Sequence, residues 1–524
     1  MSPGLASNSQ FSTRSVIVAL REGVPHDQLE DYFGHHSRAS SNIIRLQIND
    51  PVDGFPPIFY ATARNDDRII HLFARHGADV NSSFGHPPIP LLAFAVLHAK
   101  TIAAETTLCV ATLLSLGAEA AAFPRAFFSP FQRDLPETGP EEDELDDMDD
   151  PRRAWCRGLD LRGRIAETLN LTQRYHLDKS ARLAKPTDRQ RQIAQRNHCE
   201  ALFGVPYFMI GQMAATDMLK DNFLHYMLRR QFQPMVMVFA GPSGHGKTEL
   251  ARRLGALLNL ELHVSDCTIV ARENELFGPR KPYIGAEEGT PLNNFLARKN
   301  GQRCIVFLDE FEKTTQEVWN ALLIPFDKGE YQDRRTLKTV NCSKTIWIMA
   351  TNALDEDIMQ FCEKNEGVFD QDDPFKRELL LDDLTEAMKD KFKELFKPPL
   401  TGRISAFIPF LPFSPPETYV GAHKYLLELM GEVRRPVNTS FGEEEQLLGD
   451  INLKVRQDAS VCSILSQGYD PELGIRSLKK VVREKVATQL DSVYMATQGT
   501  IVEGQGMQDY EVYAYNNRIK IKPV

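Results

Sequence analysis

The octet Gly241-Pro242-Ser243-Gly244-His245-Gly246-Lys247-Thr248 has the spacing G-x-x-x-x-G-K-T. In a loop of this kind the glycines let backbone N–H groups wrap a polyphosphate at a helix N-terminus. The lysine supplies a cation to the β and γ phosphates, and the following hydroxyl can ligate Mg²⁺. The apolar run Cys304–Leu308 then leads into Asp309-Glu310, 62 residues beyond Lys247. A carboxylate pair there suits phosphoryl transfer to water: Asp309 holds Mg²⁺ through its water shell, and Glu310 orients or deprotonates the attacking water. A third apolar run, Thr345–Ala350, ends in Thr351-Asn352, whose amide can contact the γ-phosphate or that water. The chemistry expected is hydrolysis of ATP with Mg²⁺.

Positioning these groups requires strands whose C-terminal ends share one edge. Met235–Ala240, Leu260–Val264, Cys304–Leu308 and Thr345–Ala350 read as strands, and Glu249–Leu258 and Thr315–Leu323 as helices between them. The alternation predicts an α/β P-loop domain over 201–412, its parallel sheet covered on both faces. Beyond it the pattern becomes helical, with Pro415-Pro416 read as a joint, and ends in the alternating runs Tyr510–Tyr515 and Arg518–Ile521. These predict a smaller α+β C-terminal domain over 413–524.

The N-terminal third has a different texture. Asp53–Asn81 holds a Pro-Pro start, two apolar helical stretches and a closing Gly77-Ala78-Asp79. A second start, Pro90-Leu91-Leu92, follows 33 residues after Pro57, and a second close, Gly117-Ala118, follows Ala111–Leu116. That period and anatomy resemble ankyrin repeats, which predicts an α-helical repeat region over 51–123, with 1–50 as a cap or extension. The second unit carries extra residues, and Ser15–Phe33, with two short helical patterns, is the candidate N-terminal cap of the stack.

Taken together, the chain resembles a Clp-type AAA+ ATPase of the second nucleotide-domain type, over about residues 200–524. The resemblance rests on the phosphate loop, Phe311-Glu312-Lys313 after the carboxylates, the entry motif Ile210-Gly211-Gln212, and Gly289 preceded by Glu287-Glu288. With ankyrin-like repeats in front of a single ATPase module, it is similar to the ankyrin-bearing mitochondrial disaggregases of that family. The resemblance implies an ATP-hydrolysing unfoldase or disaggregase, a homo-hexameric ring that threads unfolded or aggregated protein clients through its pore. It makes Tyr283, in Pro282-Tyr283-Ile284-Gly285, the aromatic residue that grips polypeptide. It also makes Arg403, in Thr401-Gly402-Arg403-Ile404-Ser405, the finger offered to a neighbouring subunit's ATP, although the residues flanking it differ from the family pattern. Arg476, in the run Tyr469-Asp470-Pro471-Glu472-Leu473-Gly474-Ile475-Arg476, becomes the second nucleotide sensor. The segment between Asn352 and Arg403 lacks the Ile-Gly-Phe or Ile-Gly-Leu loop of proteolytic relatives, which implies a remodeller working without a peptidase.

Composition bounds the remaining choices. Hydrophobic residues at 42% and charged residues at 25% of 524 exclude a collagenous, membrane-embedded or wholly disordered chain. The net charge of -10 comes from one run: residues 137–150 hold nine acids and no base, while Arg152–Arg196 holds twelve bases against four acids. A block of like charge predicts a solvated linker over 124–200, acidic then basic, with helices. A nucleic-acid motor needs a basic field, and none lies in the ATPase module, so nucleic acid is not an expected partner. No run is apolar enough to span a membrane, and eight scattered cysteines fit reduced intracellular thiols. The cytoplasm is the expected compartment, with a Ser-rich, acid-poor N-terminus leaving mitochondrial import open. The competing function is an ATP-dependent scaffold or assembly switch, its ankyrin region binding a protein partner without threading.

Overall fold

The structure is a computed structural model that describes residues 10–146, 148–229, 233–279, 287–369, 373–440, 442, 445–497, 499–504 and 506–524. Contacts divide the chain into two compact units. One joins the residues up to Ala184 to Thr418–Gly468 and Leu478–Val524; the other joins Lys185–Glu417 to Tyr469–Ser477. One boundary falls between Glu417 and Thr418, and residues 124–184 of the charged region lie in the first unit together with the C-terminal segment.

The first unit begins with α1 (Thr13–Arg21) and α2 (His26–Gln47), the latter longer than its apolar pattern suggests. Helices α3 (Pro57–Ala63) and α4 (Asp67–Arg75) form one antiparallel pair, α5 (Leu91–Ile102) and α6 (Thr107–Ser115) the next. Pro57 sits in the first turn of α3, where its missing N–H costs nothing, and the Asp66 side chain caps α4. Both pairs close on glycines at positive φ, Gly77 (+97°) and Gly117 (+100°). One hydrogen-bonding unit recurs between successive segments. The Asn49 amide donates to the Gly77 carbonyl at 2.9 Å and accepts from Asp79 N–H at 2.9 Å. Asn81 does the same to the Gly117 carbonyl at 3.1 Å and Glu119 N–H at 3.0 Å.

The charged segment is laced to its surroundings. Glu144 pairs with Arg133 at 3.0 Å, Asp150 with Arg152 at 2.7 Å, and Glu137 with Arg456 at 2.8 Å. Helices α7 (Leu159–Thr168) and α8 (Leu171–Arg182) follow, and α8 opens on a capping box between Asn170 and Gln173.

The second unit contains α9 (Asp188–Asn197), α10 (Met213–Leu228) and a five-stranded sheet. Its strands are β1 (Met235–Ala240), β2 (Leu262–Asp266), β3 (Cys304–Asp309), β4 (Thr345–Thr351) and β5 (Ala406–Pro409). The spatial order is β2-β3-β4-β1-β5, with every neighbouring pair parallel. The sequence reading misses β5 and places β2 two residues early. Strand periodicity sorts the core into two layers: Val236, Val238, Val306, Leu308, Trp347 and Met349 enter one, Met237, Phe239, Ile305, Phe307, Ile346 and Ile348 the other. Helix α11 (Lys247–Leu258) follows β1, and α12 (Gln316–Lys328) and α13 (Pro374–Phe396) lie further on.

The C-terminal part of the first unit holds α14 (Pro415–Val433), α15 (Asp458–Ser466) and a three-stranded sheet. Pro415-Pro416 opens α14 in its first turn, where proline is tolerated, and the two units part just after it, between Glu417 and Thr418. Strand β6 (Ile451–Val455) runs parallel to β7 (Gln508–Tyr515), which pairs antiparallel with β8 (Arg518–Pro523). Helix α8 docks here through a buried network. Arg174, 2% exposed, meets Asp458 at 2.7 Å, Leu171 N–H donates to Asp458 at 2.6 Å, and Thr172 Oγ1 lies 2.7 Å from His423 Nδ1. Asp134 accepts from Ala459 N–H at 2.8 Å in the first turn of α15.

Candidate active site

The buried strand β1 delivers the chain into the phosphate loop, and α11 begins at Lys247. Two of its glycines are dictated by crowding and by backbone. At Gly241 (φ +146°) a Cβ would collide with the Phe410 carbonyl, and at Gly244 (φ +76°) with the Leu473 carbonyl. The adjacent strands bring their C-terminal residues to the same place. Thr248 Oγ1 donates to Asp309 Oδ2 at 3.2 Å, and Lys247 Nζ donates to Asn352 Oδ1 at 2.7 Å. Lys247 Nζ also bonds the carbonyl of Gly241 and that of Pro242, the latter at 3.1 Å. Glu310 next to Asp309 holds φ at +52°, a left-handed conformation costly for a residue with a side chain. Of the four residues expected to act together, Thr248 is thus hydrogen-bonded to Asp309 and Lys247 to Asn352.

Two carboxylates that sequence reasoning gave no role complete the cluster. Glu312 Oε2 and Asp355 Oδ1 are buried without a hydrogen-bond partner. Burial pushes the Asp355 carboxyl up to about 7, with Lys247 opposing the shift and Glu312 adding to it. Burial lowers the Lys247 pKa, while Asp355, then Glu312 and Asp309, act to hold its charge. The residues present fit a nucleotide with Mg²⁺: an ammonium resting on its own loop carbonyls, a hydroxyl beside a carboxylate, and two buried carboxylate oxygens lacking donors. His245 lies within the loop and reports its packing. Its ring stacks on Phe413 with centroids 4.9 Å apart, Nε2 lies 3.3 Å from the Tyr469 hydroxyl, and burial lowers its pKa to about 4.

Comparison with known proteins agrees with this geometry. A family model described as AAA domain (Cdc48 subfamily) matches residues 233–407, the span from just before β1 into β5. Residues 233–407 thus form an AAA domain. The chaperone protein ClpB of Chlamydia muridarum is 29% identical over 280 residues, covering 52% of this chain and 29% of that protein. ClpB of Chlamydia caviae is 30% identical over 267 residues (50% and 28%). Chloroplastic ClpB3 of Arabidopsis thaliana is 26% identical over 288 residues (53% and 27%). The chain thus spans less than a third of the length of these relatives. A closed-state reconstruction of Hsp104 with ATPγS and FITC-casein superposes with a TM-score of 0.46 at 18% identity, covering 68% of this chain and 56% of that one.

The remaining expected residues fall in three different situations. Arg476, in the short segment Tyr469–Ser477 that packs with the domain, reaches the loop, its Nη1 lying 3.4 Å from Ser243 Oγ. Gly474 at φ +59° makes this possible, because a Cβ there would press on the Gly244 backbone at 2.8 Å. Arg403 is engaged elsewhere. Its guanidinium donates to the carbonyls of Leu323 at 3.1 Å and Pro399 at 2.6 Å and to Asp327 at 3.1 Å, near the C-terminal end of α12. Tyr283 lies outside the described residues.

Proposed function

We propose that this protein is an ATP-hydrolysing unfoldase or disaggregase that works as a homo-hexameric ring and threads unfolded or aggregated polypeptide through its pore. The observation that carries the reading is the convergence of Lys247, Thr248, Asp309 and Asn352 on one loop, with Arg476 at its edge. A bound nucleotide with Mg²⁺ supplies the phosphoryl group to be transferred and the cation that neutralises its charge. Thr248 and Asp309 hold the metal, and the loop backbone from Gly241 to Gly246 holds the phosphates. Lys247 gives up its loop carbonyls to reach them. Asn352 and Glu310 orient the water, Glu310 accepting its proton. Arg476 reports occupancy.

In a ring, Arg403 is the group a subunit extends to its neighbour, and reaching the neighbour requires release from Asp327. Tyr283 grips the client, an aromatic ring suiting contact with any side chain. The Asn49 and Asn81 bridges and the paired helices support ankyrin-like stacking, with a protein partner as its ligand. Eight free, buried cysteines support an intracellular compartment, cytoplasmic or mitochondrial. The test is client-stimulated ATP hydrolysis together with reactivation of an aggregated reporter. Tyr283→Ala is expected to keep basal hydrolysis and lose reactivation. Hydrolysis unaffected by any unfolded protein, with no reactivation by the parent protein, favours the scaffold or switch instead.

A further inference from the structure

The carboxylate of Asp355 is absent from the catalytic roles just described, yet it is the charge that bears most strongly on Lys247, ahead of Glu312 and of the metal-holding Asp309. Asp355 begins the helix Asp355–Lys364, and its N–H is tied to the Asn352 carbonyl at 3.1 Å. This fixes it one turn past the amide that touches Lys247. Its Oδ1 is buried and has no donor, as is Glu312 Oε2. A buried carboxylate oxygen left without a partner is costly, and a structure retains one where it serves a second state.

We infer that Asp355 is a positioning residue that holds the charge of Lys247 while the loop is empty and thereby sets the affinity of the loop for nucleotide. The inference rests on the reading of the loop as an ATP site. In the empty loop, Lys247 Nζ spends its donors on the Gly241 and Pro242 carbonyls and on Asn352, and its positive charge is balanced by Asp355. A polyphosphate entering the loop takes over both roles. It draws the ammonium off the carbonyls and meets a carboxylate already facing the same cation. An anionic Asp355 therefore opposes nucleotide twice, by stabilising the empty state and by repelling the phosphates. A neutral Asp355 opposes it in neither way.

The charged groups facing Asp355 are Lys247 from α11 and Glu312 from the turn after β3; Lys247 in turn faces Asp309 and Arg476. Because burial places the Asp355 carboxyl near 7, it is protonated below that pH and anionic above it. Nucleotide affinity accordingly falls as pH rises through neutrality. At the opposite extreme, an Asp355 that only shapes its helix would change stability and leave affinity untouched.

The experiment is equilibrium binding of a fluorescent ADP analogue to the full chain between pH 5.5 and 8.5, without turnover, for the parent protein, Asp355→Asn and Asp355→Ser. Both variants are expected to bind about fivefold more tightly than the parent at pH 8.5, to match it at pH 5.5, and to lose its pH dependence. Variants that follow the parent at every pH, or that bind more weakly throughout, overturn the role of Asp355. Failure of the parent itself to bind ADP at any pH, with its fold intact by circular dichroism, overturns the nucleotide reading instead.

Discussion

Glu310 is the residue whose chemistry depends most on its placement. Its carboxylate follows Asp309, the residue proposed to hold the metal, and its backbone is left-handed, φ +52°, where the chain leaves β3. Replacing it by glutamine keeps the shape and the hydrogen-bonding reach and removes the base. Glu310→Gln is expected to bind ATP as the parent does while turnover falls by about 10² to 10⁴, the range for losing a general base. Single-turnover hydrolysis measured beside ATP binding checks this, and an unchanged rate removes Glu310 from the mechanism. The phosphate loop, Asp309 and Asn352 stand out in the sequence because each follows an apolar run, whereas Arg476 was singled out by the family resemblance. Glu312 and Asp355 do not stand out. A carboxylate in a turn or at a helix start is ordinary in sequence, and only burial against Lys247 gives these two a consequence.

At the level of elements, the junction between α8 and α15 combines a buried ion pair with helix capping. Burial raises the Asp458 pKa, but the Arg174 guanidinium and the Leu171 N–H outweigh that cost and keep it charged. Asp134 caps the first turn of α15 through Ala459 N–H. Removing one partner leaves an uncompensated buried charge, so Arg174→Ala or Asp458→Ala is expected to destabilise this unit by about 3–5 kcal/mol. The double change Arg174→Met with Asp458→Leu is expected to recover much of that loss, since an apolar pair carries no desolvation cost. Urea denaturation of the single and double variants measures both, and a double variant as unstable as the singles contradicts the account. The strands β1, β3 and β4 were readable as continuous apolar runs because both faces of the sheet are covered. β5, four buried residues ending in Pro409, lies in an apolar run broken by Pro409 and Pro412, which masked it as a strand, and is held as an edge strand by pairing with β1.

At the scale of the whole molecule, burial suppresses the charge of His176, His245 and His423 most strongly, lowering the pKa of the first to about 3 and of the other two to about 4 from the ordinary value of 6.5. Each is neutral when folded and takes up a proton once unfolded below 6.5. Their neutral forms therefore cost nothing above pH 6.5, and stability declines as pH falls from 6.5 towards 4, by on the order of 3 kcal/mol per histidine. Urea midpoints at pH 7.5, 6 and 5 should fall in that order. A midpoint independent of pH would remove the histidines as the cause. Sequence alone marked the phosphate loop and the strands β1, β3 and β4 around it, because a glycine-rich loop and a continuous apolar run are both legible over short stretches of chain. It did not determine the partners of the chain's first third. Within the acidic run Glu137 reaches Arg456 at the surface, and the buried Arg174 finds Asp458 across a sequence separation of 284. Tertiary structure decided those contacts, since a charge shows the same letter whether it faces water or is buried against a residue near the far end of the chain.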